Sequence, residues 1–467
     1  DLAVASPATV SRCGMVYMEP TPSVRYLFDS WVLTMHPEIQ ATINEILGPL
    51  FDNYLVKAIA YLRDSLKEPM PTTNSNVIQS FFRIYHSLIQ QFYSPDHQDH
   101  IKEDVIANIA KYSPYFFWFS LVWAVGSTTD TDGRSIFDKW VRENIKGQEA
   151  AFPNEGLVYD YKYNTQHNKW QNWMDDQPPY HIPPNTPFNE IVVPTIDNVR
   201  HTYLLELLLR TGYHFFCTGP TGTAKSVTIN RYMMSSLDPN MFIPVLISFS
   251  AQTSANQTQD IIDAKFERRL KGVYGPLDRK KAIIFFDDVN MPAKEEYGAQ
   301  PPIELLRQWL DHGGWYDRKA LEFHKLVDSQ LICACGHPGG GRQSLTARFM
   351  RHFNIFNFVE LQDDSLRLIF KTMLDSFLAI FDSSVQSTSL PIADATISIY
   401  NMVRQEMLPI PSKSHYTFNL RDVSKVIQGV MSLHKAHIDN DQDIVGVWTH
   451  EATRVFSDRL VDQADRD

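Results

Sequence analysis

The sequence predicts an α/β protein: a parallel sheet covered by helices on both faces, with a phosphate-binding loop at its edge, set between two all-helical segments. Three observations carry that expectation. From about residue 188 to 362, short apolar runs alternate with helical stretches, the pattern of strands joined by helical crossovers. Within it, the run Tyr213–Cys217 leads into Gly219-Pro220-Thr221-Gly222-Thr223-Ala224-Lys225-Ser226 and then into an apolar helix pattern. On either side, residues 21–150 and 363–467 carry apolar residues at the three- and four-residue spacing of amphipathic helices.

The elements follow in order. Residues 1–20 read as a turn and a short strand, Gly14 to Met18. In 21–150, Ile43, Ile46, Leu47, Leu50, Phe51, Tyr54, Leu55, Ala58 and Leu62 mark one helix, which Gly48-Pro49 should kink or restart. Val77 to Phe92 mark another, and Pro69-Met70-Pro71 and Ser94-Pro95-Asp96 are breakers. Tyr115 to Gly126 is the most apolar window; it is too short to span a bilayer and reads as a buried helix. Residues 151–187 change character: Val158–Tyr163 alternates at period two and Lys169–Trp173 answers it, predicting a hairpin before the Pro-rich linker 177–187. Trp170 and Trp173 are expected in its core. Strands are expected at Tyr213–Cys217, Pro244–Phe249, Ala282–Phe286, Gln330–Cys335 and Asn354–Val359, with helices near 225–236, 254–271, 302–311 and 343–351. The helical pattern returns over 363–467.

Bulk properties narrow the class. A chain of 467 residues is too long for one core, so two to four domains are expected. The net charge of −11 argues against a surface-wide binder of nucleic acid or anionic membrane, while leaving a local basic groove open. No basic, apolar leader opens the chain and it does not begin with Met, which reads as a piece of something larger. Cys217, Cys333 and Cys335 sit in apolar runs, the setting of reduced, buried thiols; Cys333 and Cys335 alone are a weak case for metal.

The chemistry concentrates in two places. The glycine-rich loop directs backbone N–H groups and a helix N-terminus at phosphate, Lys225 reaches the terminal phosphates, and the Ser226 hydroxyl is placed for Mg²⁺. Ala224 stands where this pattern wants Gly; if the loop needs a positive φ there, its Cβ costs about 1 kcal/mol. Replicative helicases of the MCM family share the Ala-Lys-Ser ending. The second place is Lys281-Ala282-Ile283-Ile284-Phe285-Phe286-Asp287-Asp288, a buried strand delivering two acids to the same edge of the sheet. Asp287 would hold Mg²⁺ through water and Asp288 would polarise the attacking water. Most ATPases of this type use Glu there; Asp is roughly 1.5 Å shorter, and misplacement of that size costs on the order of 100-fold in rate.

Taken together, Asp287-Asp288-Val289-Asn290-Met291-Pro292, Tyr297–Trp309, Gly314-Trp315-Tyr316-Asp317, Gly339–Arg342, Arg348–Asn354, Phe418–Asp422 and His450–Phe456 resemble the third AAA+ module of dynein heavy chains. Pro7–Val16 resembles the end of the large subdomain of the second module. Asp288, and Gly336 at the place of an Asn sensor, resemble the axonemal branch more than the cytoplasmic one. The resemblance implies an AAA+ P-loop fold with helical lid subdomains: 1–20 ending one large subdomain, 21–150 its lid, 151–187 hairpin and linker, 188–362 the nucleotide-binding subdomain and 363–467 its lid.

It also implies roles. Ile191, Val192, Val193, Pro194 and Thr195 would line adenine; Gly219 to Ser226 would hold the phosphates of ATP or ADP; Ser226 and Asp287 would serve Mg²⁺; Arg421 would be a second sensor. Arg351 (or Arg348) and Arg12 would act in trans on preceding modules, since an arginine finger completes a neighbour's site. The partners implied are the adjoining AAA+ modules, with microtubules reached only through a stalk, and intermediate and light chains bound, outside this stretch; no nucleic acid or membrane is implied. The setting implied is cytoplasm, cytoskeleton and the axoneme of cilium or flagellum. Three functions compete: a regulatory nucleotide module with slow hydrolysis, a structural spacer that is empty or holds ADP permanently, and a helicase or its loader, which the acidic balance disfavours.

Overall fold

The computed structural model describes residues 6–16, 24–93, 101–183, 186–434, 437–438 and 440–466. Helices run over Val24–Val32, Pro37–Leu50, Val56–Ser65, Asn74–Ile89, Glu103–Ala124 and Thr131–Ile145, each burying its apolar face. Pro49 cannot donate a backbone bond to Glu45, yet the helix passes it. A π turn over Phe51–Leu55 follows instead of a break. The window Tyr115–Gly126 lies in the 22-residue helix Glu103–Ala124 and its neighbouring turn, with Phe117, Trp118 and Trp123 buried. Among the described residues no helix is long and apolar enough to cross a membrane. The strand expected at Gly14–Met18 does not form at residues 14–16, where no pairing strand is described; Tyr17 and Met18 lie outside the described residues. Pro7–Ser11, capped by Ser6, is a short helix instead. The breaker at Ser94-Pro95-Asp96 also lies outside the described residues.

Strands β1 (Tyr161–Asn164) and β2 (Lys169–Asn172) pair antiparallel as a hairpin. Trp173 is fully buried and donates its indole N–H to the Tyr159 carbonyl at 2.8 Å, while half-buried Trp170 stacks on Phe152 with ring centres 4.0 Å apart.

The strands that follow are β3 (His214–Thr218), β4 (Phe242–Ser248), β5 (Phe266–Leu270), β6 (Val273–Pro276), β7 (Lys281–Asp287), β8 (Gly314–Tyr316), β9 (Phe323–Leu326), β10 (Ser329–Cys335) and β11 (Phe353–Asn357). Five form a parallel sheet in the order β11-β3-β10-β7-β4. β3, β7, β10 and β11 are apolar and buried nearly throughout because both faces are covered, whereas the edge strand β4 alternates and exposes Pro244, Leu246 and Ser248. Helices Ile196–Arg210, Lys225–Ser235 and Pro301–His312 belong to this layer. Cys217, Cys333 and Cys335 are buried free thiols within it, and Cys13 is exposed.

Two expectations fail here. The helix expected over 254–271 ends at Asp263, and β5 and β6 occupy 266–276 as a hairpin turned at Gly272 (φ +74°). With β8 and β9 they make a second, four-stranded sheet that the sequence reading missed. The helix expected over 343–351 is only Ala347–Met350, because Gln343 is held by its N–H to the Asn290 carbonyl at 2.9 Å.

The outer edge of β11 is covered by the first helical unit, which uses side chains in place of a further strand. Asn76 donates to the carbonyls of Met350 and Phe353, both at 3.1 Å, and buried Arg134 donates to the Asn357 carbonyl. In return Asn357 donates to the Thr129 carbonyl at 2.9 Å. Helices Asp363–Leu378, Ser389–Glu406, Leu420–Met431 and Asp441–Ala452 build the second helical unit around Leu374, Val426 and Ile427.

Candidate nucleotide-binding site

β3 ends at Thr218, and the chain then turns at Gly219 (φ +152°), Gly222 (φ +93°) and Ala224 (φ +58°) before the helix Lys225–Ser235 begins. Gly219 has no substitute: a Cβ there would lie 2.4 Å from the Phe358 carbonyl oxygen. Ala224 takes the left-handed conformation, which the sequence left as a condition, so its Cβ does carry the cost of about 1 kcal/mol. Lys225 Nζ donates to the carbonyls of Gly219 (2.8 Å) and Pro220 (2.7 Å) and to Thr223 Oγ1 (3.2 Å). Burial lowers its pKa, and the nearby charge of Arg342 pushes the same way against Asp287. Ser226 is half-buried on the first turn of the helix.

Because β10 lies between β3 and β7, three strand ends meet at one edge. β7 supplies Asp287, which accepts the Asp288 N–H at 3.0 Å; Asp288 itself sits at φ +52°. β10 continues into Gly336 and a turn that brings Arg342 back, with Nη2 3.8 Å from Asp288 Oδ1. Fully buried Asn290 donates to the carbonyls of Gly336 (2.9 Å) and Gln343 (3.2 Å), pinning both ends of that turn. The sequence reading used Asn290 and Gly339–Arg342 as parts of the resemblance and gave neither Asn290 nor Arg342 a role at this edge. The available signal was a cation closing a run of three glycines directly after a buried strand.

Behind the loop lies a cavity of about 130 Å³ lined by Ile191, Val192, Val193, Thr195, Thr223 and Ala224, with Phe358 among the remaining walls. Pro194 lines an adjoining cavity of about 320 Å³, which shares Asn198 and Thr228 with the first. Arg231 donates to the Val192 carbonyl at 2.7 Å and fixes this wall.

The remaining arginines fall in three places. Arg421 is exposed on the first turn of Leu420–Met431, a helix start capped by Asn419 that rests on the loop: a Cβ at Gly222 would lie 3.4 Å from the Leu420 nitrogen. Arg351 is bonded to Asp311 at 2.5 Å and is largely exposed, away from the Lys225 edge at the start of β11. Burial alone would raise the Asp311 pKa, but hydrogen bonds from Arg351, His352 and Arg307 hold it at about 2. Arg348 is exposed beside it, and Arg12 is exposed at the end of Pro7–Ser11.

These residues fit a nucleotide on three counts. A glycine cradle has no room for Cβ, a helix start and a lysine face it, and an apolar cavity adjoins it. Ser226 and Asp287 offer the hard oxygen donors that would hold Mg²⁺, which supplies charge neutralisation to phosphate when bound. The strand–loop–helix unit, the acids two strands over and the helical lid on the loop define an AAA+ P-loop module. Residues 180–361 match the family described as "P-loop containing dynein motor region". Residues 47–175 match the dynein heavy chain AAA lid domain, and 369–466 the dynein heavy chain ATPase lid domain. The whole chain is 41% identical to dynein axonemal heavy chain 1 of Mus musculus and of Homo sapiens, and 38% identical to dynein axonemal heavy chain 3 of Homo sapiens. It spans only 12% of the length of each of these relatives. The chain belongs to the axonemal dynein heavy-chain family, as a segment of its motor ring.

Proposed function

We propose that this segment is a regulatory AAA+ module that binds ATP or ADP with Mg²⁺ and hydrolyses slowly. In this reading it helps couple nucleotide state to microtubule-based movement of cilium or flagellum. The observation that carries the reading is the loop itself: Gly219, Gly222 and Ala224 at positive φ, Lys225 turned into it, and the start of the lid helix on Gly222. Val193, Pro194, Thr195 and their neighbours would face the base. Gly219, Pro220, Thr221, Gly222, Thr223, Ala224, Lys225 and Ser226 would hold the phosphates.

Slow hydrolysis is supported by three features. Asp288 is one methylene shorter than Glu, it pairs loosely with Arg342, and position 336 carries no side chain. Arg421 would reach the phosphates from the lid, so nucleotide would set the angle between sheet subdomain and lid and pass that change to adjoining modules. Arg351 and Arg12 would complete the sites of preceding modules; the hold of Asp311 on Arg351 supports a positioned finger. The module boundaries proposed remain 188 and 363, with the unit 21–150 as lid of the preceding module. Microtubules, intermediate chains and light chains would be engaged outside this segment, in the axoneme.

The test is titration calorimetry of the chain with Mg-ATP and Mg-ADP, repeated on Lys225→Ala. Micromolar binding that weakens at least about 100-fold in the variant is expected, since charge-assisted bonds to phosphate are lost. No heat from either ligand with folded wild-type chain would replace this reading with a structural spacer. Mass spectrometry would then separate trapped ADP from none. Single-turnover hydrolysis at motor-site speed in an intact ring would refute the regulatory assignment.

A further inference from the structure

We propose that Arg342 is the residue by which this site distinguishes a nucleoside triphosphate from a diphosphate, acting within its own module in the space left by Gly336. The inference rests on the reading of the site as one for adenine nucleotide. Its observations, however, come from the turn after β10 rather than from the glycine loop.

That turn is built to deliver one side chain. Gly339, Gly340 and Gly341 all have positive φ (+119°, +58° and +89°), and nothing lies within 4 Å of a Cβ built on any of them. They serve the path of the backbone, not packing. Gly339 and Arg342 exchange N–H bonds at 3.0 and 3.1 Å, which closes the turn. Asn290, two residues past the Asp287-Asp288 strand end, clamps both ends through Gly336 and Gln343. The register of Arg342 against the two acids is therefore fixed by buried hydrogen bonds.

The side chain then lies across Gly336. A Cβ at 336 would be 2.5 Å from Arg342 Nε and 2.7 Å from Cδ and Cζ, so any other residue there would displace the guanidinium. The missing side chain at 336 and the presence of Arg342 are thus one steric arrangement. At 3.8 Å the contact with Asp288 is too long for a hydrogen bond, and buried Nε has no partner among the described residues. Arg342 is close enough to Lys225 for its charge to act there.

A guanidinium with a loose carboxylate partner and an unused donor is suited to a phosphate oxygen. A nucleotide whose first two phosphates fill the glycine loop places a third where Lys225, Asp287 and Arg342 converge; a diphosphate ends short of it. Arg342 would then leave Asp288 for phosphate only when the third phosphate is present. Discrimination and the freeing of Asp288 become one event.

The experiment is calorimetric titration of the chain with the Mg²⁺ complexes of ADP and of the non-hydrolysable β,γ-imido analogue of ATP. It compares wild type, Arg342→Gln and Gly336→Ala, each checked for a cooperative melt. Wild type should prefer the triphosphate analogue; both variants should lose about tenfold or more of that preference while ADP affinity stays within about twofold. Retention of the preference in Arg342→Gln overturns the inference. If that variant does not fold, Gly336→Ala, which keeps the charge but moves it, decides in the same way. A wild-type chain that binds both nucleotides equally overturns the inference and leaves the nucleotide site standing, whereas one that takes up neither overturns the inference and the regulatory reading together, whether it is empty or holds trapped ADP.

Discussion

Asn290→Ala tests the clamp that sets the edge of the site. The amide is fully buried and donates twice, to Gly336 O at 2.9 Å and Gln343 O at 3.2 Å. At about 1 kcal/mol net per hydrogen bond, losing both costs about 2 kcal/mol, and the two bereft carbonyls add to this where water does not reach them. Against that, Asn290 Oδ1 has no partner among the described residues, so deleting it returns on the order of 1 kcal/mol. The balance is a local destabilisation of about 2 kcal/mol, confined to the turn 336–343 because the Gln343 N–H bond to the Asn290 backbone survives. Hydrogen exchange read on a peptide spanning 336–345 should accelerate about 10- to 100-fold, the factor that this free energy gives for local opening. Peptides from β3 and β4 should not change. Asn290→Asp keeps the shape, removes both donors and adds a third carboxylate beside Asp287 and Asp288, so it should exceed Asn290→Ala. Unchanged exchange at 336–345 in Asn290→Ala would refute the clamp and with it the fixed position of Arg342.

Two further substitutions probe the sheet. Gly219→Ala places a methyl 2.4 Å from a backbone oxygen at a φ that L residues rarely adopt, and should destabilise the sheet subdomain by about 2–4 kcal/mol in urea melts. His214 Nδ1 accepts the Leu331 N–H at 3.1 Å and so must be unprotonated; burial, reinforced by the charges of Arg83 and His352, holds its pKa at about 3 against an ordinary 6.5. The unfolded chain therefore takes the proton first. Its contribution is complete above about pH 6.5 and is lost by up to about 1.4 kcal/mol per unit as pH falls toward 3. Between pH 7 and pH 5, wild type should lose about 2 kcal/mol more stability than His214→Gln; parallel losses would show that His214 does not titrate in this way.

What could be read from sequence was what the chemistry requires to be contiguous. The phosphate loop needs its glycines, lysine and serine in one stretch between strand and helix, so residues 213–236 announced themselves, while the left-handed turn at Ala224 was settled by the structure. Four of the five core strands were legible for a related reason, since a strand buried on both faces has to be apolar along its whole length; β4, half-exposed at the edge, still showed as an apolar run. Asp287-Asp288 followed from the strand that ends there.

The second sheet was not legible. Phe266-Glu267-Arg268-Arg269-Leu270 is short and charged, and it becomes a strand through pairing with β6 across Gly272. By itself the sequence determined the fold class, the phosphate loop and its paired acids, because each is written in adjacent residues with their own conformational demands. Only the tertiary structure decided that Leu420 rests on Gly222, that Arg342 crosses Gly336, and that Asn290 holds the turn in register. Those contacts join segments whose local preferences are silent about each other, and they exist because sheet order brings β3, β10 and β7 to a common edge.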